Sequence, residues 1–133
     1  MSISFPYYKT LIDGSEVIYP YIIASLHSSK GIRSYSFLVD TGADTMLMPF
    51  YMTHLMQIPK KSLTVTESIG INNKTIRSYE ADITIQIGTL WITIPCTFIN
   101  DTLAPYLLGR KGVFNYFSIL FDNKKKETVL TKI

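Results

Sequence analysis

The chain has 133 residues, 47% of them hydrophobic and 17% charged, enough for one compact domain with a real core and too few for two. Thirteen Lys+Arg against ten Asp+Glu leave a formal charge of +3, too mild an excess to suggest a nucleic-acid-binding stripe, and the lone Cys96 excludes an internal disulfide framework and a cysteine-rich zinc site. His27 and His54 are too few and too far apart for a metal cluster, so neither metal nor cofactor is expected, while 13% aromatic residues with many Ile and Thr point to a β-rich fold.

Met1 to Thr10 show no basic stretch followed by an apolar one, so no secretory signal is visible and a cytoplasmic location is expected. Pro20, Asp40, Lys60, Lys61, Glu80, Asp82 and Asp101 interrupt every apolar run before it reaches the roughly 20 residues of a membrane helix, so no membrane partner is expected. Val17 to Leu26 and Ile32 to Val39 flank the turn-rich segment from His27 to Gly31 and read as a hairpin. Its incoming strand carries Pro20 at an edge or bulge, and its outgoing strand runs into Asp40. Pro49 to Met56 predicts a short helix with proline in the first turn and Met52, Leu55 and Met56 on one face.

From Tyr79 to Ile87 every odd position is apolar and every even one polar or charged, which predicts a strand with one wet face. Gly88-Thr89 suits a type II′ turn, and Leu90 to Ile99 returns with Leu90, Ile92, Ile94, Cys96 and Phe98 on one face. Arg110 to Phe117 predicts a second short helix, and Ser118 to Asp122, a polar turn from Asn123 to Lys126, and Glu127 to Ile133 close the chain as a third hairpin. No linker or repeat divides the chain, so a single domain over 1–133 is expected.

One segment departs from this plain β pattern. In Phe37-Leu38-Val39-Asp40-Thr41-Gly42-Ala43-Asp44-Thr45 an apolar strand delivers a carboxylate into a glycine-containing turn, and a carboxylate there is costly to bury unless it is hydrogen-bonded or used. Further on, Tyr106-Leu107-Leu108-Gly109-Arg110 supplies a second apolar strand that ends in glycine before a helix. With these two motifs, and a glycine-containing turn between them at Ser68-Ile69-Gly70-Ile71-Asn72-Asn73, the chain from Val17 to Ile133 resembles the retropepsin-like aspartic proteases, the single-domain relatives of pepsin that include the retroviral proteases.

The resemblance implies a mostly β, single-domain closed β-barrel with one or two short helices and a β-hairpin flap. It implies an aspartic-type endopeptidase, a hydrolase in which Asp40, Thr41 and Gly42 are the catalytic residues. Peptide hydrolysis without a metal or a covalent nucleophile needs water deprotonated on one side and a carbonyl protonated on the other, which two carboxylates sharing one proton can do. This chain carries one Asp-Thr-Gly, so the second carboxylate is expected from Asp40 of another copy across a two-fold axis.

By the same resemblance Thr41 hydrogen-bonds across that axis, Gly42 lets the backbone approach a peptide, and Asp44 is braced by Arg110, with Gly109 in structural support. Ile69, Gly70, Ile71, Asn72 and Asn73 become the tip of the flap, and Ala43, Leu103, Pro105 and Leu107 the apolar walls of a peptide site. Two features depart from the retroviral pattern: the flap turn is poorer in glycine, and Thr45 stands where a second acid tends to follow Asp44. The expected partners are thus a second copy and a peptide or protein substrate. A reading from another class is a non-catalytic peptide-binding or dimerisation module that keeps the cleft.

Other residues have plainer roles. His27 in its turn and His54 on its helix are assigned to packing or the surface, Cys96 to the core, and Met46, Met48, Met52 and Met56 to core or cleft. Tyr7, Tyr8, Tyr19 and Tyr21 either cover an edge or join a dimer interface, for which Ser2 to Thr10 and Glu127 to Ile133 are the candidate strands.

Overall fold

Side chains on successive strand residues point to opposite faces, so alternation decides what enters the core. A computed structural model describes residues 1–69 and 73–133. In chain order its strands are β1 (Ser2–Pro6), β2 (Tyr8–Ile12), β3 (Ser15–Tyr19), β4 (Tyr21–Ser28), β5 (Gly31–Val39) and β6 (Met46–Pro49), followed by helix α1 (Tyr51–Leu55) and a 3-10 turn (Lys60–Ser62). Then come β7 (Thr64–Ile69), β8 (Thr75–Ile87), β9 (Leu90–Ile99), β10 (Leu107–Leu108), helix α2 (Val113–Tyr116), β11 (Phe117–Asp122) and β12 (Glu127–Lys132).

The main sheet has the order β4-β5-β10-β6-β9-β8-β7, and a further pairing of β4 with β8 through Ser25↔Gln86 and Leu26↔Ile85 closes six of these strands into a barrel. Closure removes two sheet edges and leaves β7 outside, paired among the described residues to β8 alone. Into the barrel point Ile22, Ala24 and Leu26 from β4, Phe37 and Val39 from β5, Met46 and Met48 from β6, and the odd residues Ile83, Ile85 and Ile87 from β8, all buried. Ile92, Ile94, Cys96 and Phe98 complete it from β9, as the alternation predicts. Each large side chain so buried contributes roughly 1.5–3 kcal/mol. Burial also pushes the Cys96 thiol well above its ordinary ionisation range, leaving it a small inert hydrophobe. A second sheet, β1-β12-β11, adds Leu130 and Phe117 to the same core.

Several expectations are corrected. The strand expected from Val17 to Leu26 is two strands broken at Pro20, which has no N–H to continue a ladder. Only β4 pairs with β5, from Tyr21↔Leu38 to Ser28↔Gly31, whereas β3 pairs back onto β2. Asp13 and Gly14, at φ 50 and 79, turn that extra hairpin with both central residues at positive φ, the mirror-image geometry that suits strand twist. Pro49 ends β6 rather than opening a helix, and α1 starts at Tyr51 with Met52 buried and Leu55 and Met56 packed against the core.

The second helix is shorter than Arg110 to Phe117, because Gly112 takes φ 93, outside helical geometry, so the helix opens only at Val113, and Phe117 already belongs to β11. Before it, the Arg110 and Lys111 N–H groups donate to the carbonyls of Ala43 and Asp44 at 2.9 and 2.7 Å. His27 lies in β4 rather than in a turn and stacks on Trp91 at 4.7 Å, while His54 on α1 meets Phe50 edge-on. Of the terminal segments, β1 pairs with β12 within the chain, and Tyr8 to Thr10 belong to β2. No helix among the described residues is long and apolar enough to cross a membrane.

Candidate active site

The two-residue strand β10 organises the site. It lies parallel to β5 through Leu107↔Leu38 and Leu108↔Val39, and antiparallel to β6 through Leu107↔Leu47. The Asp40 N–H donates to the Leu108 carbonyl at 3.0 Å and the Leu38 N–H to that of Tyr106 at 2.9 Å, so the backbone around Asp40 is held at the end of a three-strand ladder. Beyond Val39 the chain turns, and the Gly42 N–H donates to Asp40 Oδ1 at 2.8 Å, an Asx-type bond that orients the half-buried carboxylate. Asp40 Oδ2 has no protein partner among the described residues.

Residues after β10 clamp the turn from the other side. Arg110 Nη1 donates to the Thr41 carbonyl at 2.6 Å and Nη2 to Asp44 Oδ1, while the Arg110 N–H donates to the Ala43 carbonyl. A planar guanidinium suits this double duty, because its fork reaches two acceptors at once. The backbones approach so closely that a Cβ on Gly109 would lie 2.7 Å from the Ala43 carbonyl oxygen and closer still to that of Thr45. Thr45 is tied in turn to β9 by a 2.7 Å hydroxyl contact with Thr97.

One cavity adjoins this loop, and another lies beside the strand that leads into it. The first, of about 280 Å³, is lined by Ala43, Asp44, Leu47, Ile99, Leu107 and Lys111 among others. The second, of about 310 Å³, is lined by Tyr21, Ser36, Leu38, Pro105 and Tyr106. Tyr106 is fixed there by ring stacking on Tyr35 at 5.8 Å and a 2.6 Å hydroxyl contact with Tyr51. Burial, helped by that hydroxyl contact, pushes its ionisation far above the usual tyrosine range, so it stays neutral.

The structure thus brings Asp40, Thr41, Gly42, Ala43, Asp44, Gly109 and Arg110 into one constellation. Ala43 and Leu107 share one cavity, Pro105 lines the other, and Leu103, 88% exposed, lines neither. Where the flap is expected, strands β7 and β8 pair antiparallel up to Ile69↔Thr75, with Ile69 79% exposed and Asn73 at φ 58. Gly70, Ile71 and Asn72 lie outside the described residues. Sequence reasoning missed Tyr21, Ser36 and Tyr106 as lining residues; outward-facing Tyr21 opposite Leu38 is the signal, but only the β4–β5 register reveals it. Among the described residues no group of three or more His, Cys, Asp or Glu could hold a metal ion.

No family model matches the sequence and no curated protein matches it. In three dimensions the chain is similar to a retropepsin-like aspartic protease from Rickettsia conorii, with a TM-score of 0.67 over 98% of this chain and 89% of that one, at 19% sequence identity. The fold is therefore retropepsin-like: a mostly β closed barrel with few short helices.

Proposed function

We propose that the chain is an aspartic endopeptidase that acts as a homodimer on extended, largely apolar peptides. The observation that carries this reading is the Asp40 carboxylate, oriented by the Gly42 N–H at the end of β5 in a loop clamped by Arg110, present once per chain. Two such carboxylates facing each other across a two-fold axis cannot both ionise easily, so the pair holds one proton. The ionised member takes a proton from water as the water oxygen bonds to the scissile carbonyl carbon, and the protonated member gives its proton to the carbonyl oxygen. Collapse of the tetrahedral intermediate then breaks the C–N bond as the nitrogen is protonated. Thr41 joins the two loops, the cavities beside Ala43 and Leu38 take substrate side chains, and the β7–β8 hairpin supplies main-chain hydrogen bonds.

Incubation with an unbiased peptide library between about pH 4 and 7 is expected to give cleavage that pepstatin blocks. Specific activity is expected to rise with protein concentration as dimers form, followed alongside light scattering. An active monomer would overturn the shared site. Peptide binding without cleavage would leave the non-catalytic module.

Arg110 separates loop position from stability. Its ion pair with Asp44 is solvent-exposed, 46% and 70% for the two side chains, so Arg110→Ala is expected to cost only about 1 kcal/mol or less in a thermal melt. Cleavage is expected to fall about tenfold or more, because the loop bearing Asp40 loses its tether to Thr41. Arg110→Lys is expected to restore little, since one ammonium cannot span both acceptors.

A further inference from the structure

Strand β7 lies outside the barrel, and the fold leaves room at its root. Val65 stands opposite Tyr79, and Tyr79 opposite Phe98, so the three side chains share one face of β7, β8 and β9. Phe98 is buried in the barrel, whereas Val65, two strands further out, is 57% exposed. Two segments flank this face. The Phe50 N–H donates to the Ile99 carbonyl at 2.8 Å, and the Phe50 ring packs on that of Tyr79 at 4.6 Å. In the 3-10 turn the Leu63 N–H donates to the Lys60 carbonyl at 3.0 Å, which folds Lys60 back beside the start of β7.

Between these elements is a cavity of about 360 Å³ lined by Phe50, Lys60, Leu63, Val65 and Tyr79. It shares no lining residue with the two cavities described above, so it is separate from the Asp40 site. Its walls are aromatic or branched aliphatic except for Lys60, which makes no ion pair among the described residues. Lys61 follows in the same turn, and the next pair on this face, Glu67 opposite Arg77, carries one charge of each sign. The surroundings of the cavity therefore stay positive.

Charge and lining together select the occupant. Small-molecule sites typically span about 300–1,000 Å³ and combine apolar walls with a few polar groups, and a cavity near the lower bound suits one ring or one branched chain. A lysine beside such walls suits an anionic group on that apolar body, through a charge-assisted hydrogen bond.

We propose that this cavity binds a small carboxylate with an aromatic or branched aliphatic body, and that the bound molecule braces the root of the β7–β8 pair against Phe50. The proposal is independent of the endopeptidase reading, and its test uses no cleavage. The full chain, labelled with nitrogen-15, is titrated by NMR with 3-phenylpropionate and with its uncharged amide. The carboxylate is expected to bind with a Kd of about 1 mM or tighter, shifting the signals of Phe50, Lys60, Leu63, Val65 and Tyr79. The amide is expected to bind about threefold weaker, the scale of an exposed charge pair. Lys60→Ala is expected to make the two ligands equal, and Val65→Glu to weaken both at least about tenfold; both positions are exposed, so both variants are expected to melt like the wild type. With 3-phenylpropionate at ten times its Kd, amide exchange in β7 and β8 is expected to slow about tenfold wherever opening releases the ligand. No shifts at about 10 mM, shifts centred elsewhere, an amide bound as tightly as the carboxylate, or unchanged exchange would each overturn the site. So would a wild type that ignores both ligands while Val65→Glu weakens its self-association in sedimentation, which would assign the cavity to a contact between copies.

Discussion

Asp40→Asn is expected to lower peptide cleavage by at least about a thousandfold, the upper range of general acid–base contributions, because both halves of the proposed pair lose the group that accepts and returns a proton. The amide oxygen can still accept the Gly42 N–H, and the residue is only half-buried, so the melting temperature is expected to stay within about 2 °C. Mixing subunits makes the test sharper. If each active site needs Asp40 from two copies, adding a ninefold excess of the variant and allowing exchange leaves about one wild-type chain in ten paired with its like, and activity per wild-type chain falls about tenfold. If each chain carries its own site, that activity does not change. Cleavage that survives the substitution would end the aspartic mechanism.

Gly109→Ala is expected to be the most damaging single-atom addition to the loop. The new Cβ meets carbonyl oxygens of Ala43 and Thr45, backbone atoms that cannot swing aside as a side chain would. Overpacking of this kind costs about 3 kcal/mol, and here relief requires β10 to separate from the Asp40 turn. For a chain of this size the melting temperature is expected to fall by roughly 10 °C, and cleavage to fall with it even at temperatures where the variant is folded. A variant that melts like the wild type and keeps its activity would show that the loop is not held by this contact.

Much of the barrel was legible in local pattern. The alternation from Tyr79 to Ile87 and from Leu90 to Ile99 identifies the buried face of β8 and β9 because a strand has only two faces, and one residue of slip would turn every isoleucine to water. The Asp13-Gly14 turn was equally local, yet its strands carry exposed residues on both faces, so no hydrophobic period drew attention to them. The start of the second helix was not legible: Arg110 and Lys111 have a helix-compatible sequence, but Gly112 after them takes a positive φ and the helix opens only at Val113.

The candidate site divides along the same line. The sequence by itself determined that an apolar strand ends in Asp40, that only one such motif is present, and that Gly109-Arg110 follows a second apolar strand. Only the tertiary structure decided that β10 slots between β5 and β6, and that Arg110 grips Thr41 and Asp44. Side-chain periodicity is set residue by residue by backbone geometry, so it can be read along the chain. Which faces and loops meet is set by hydrogen bonds between distant segments, and a two-residue strand leaves no period from which to infer them.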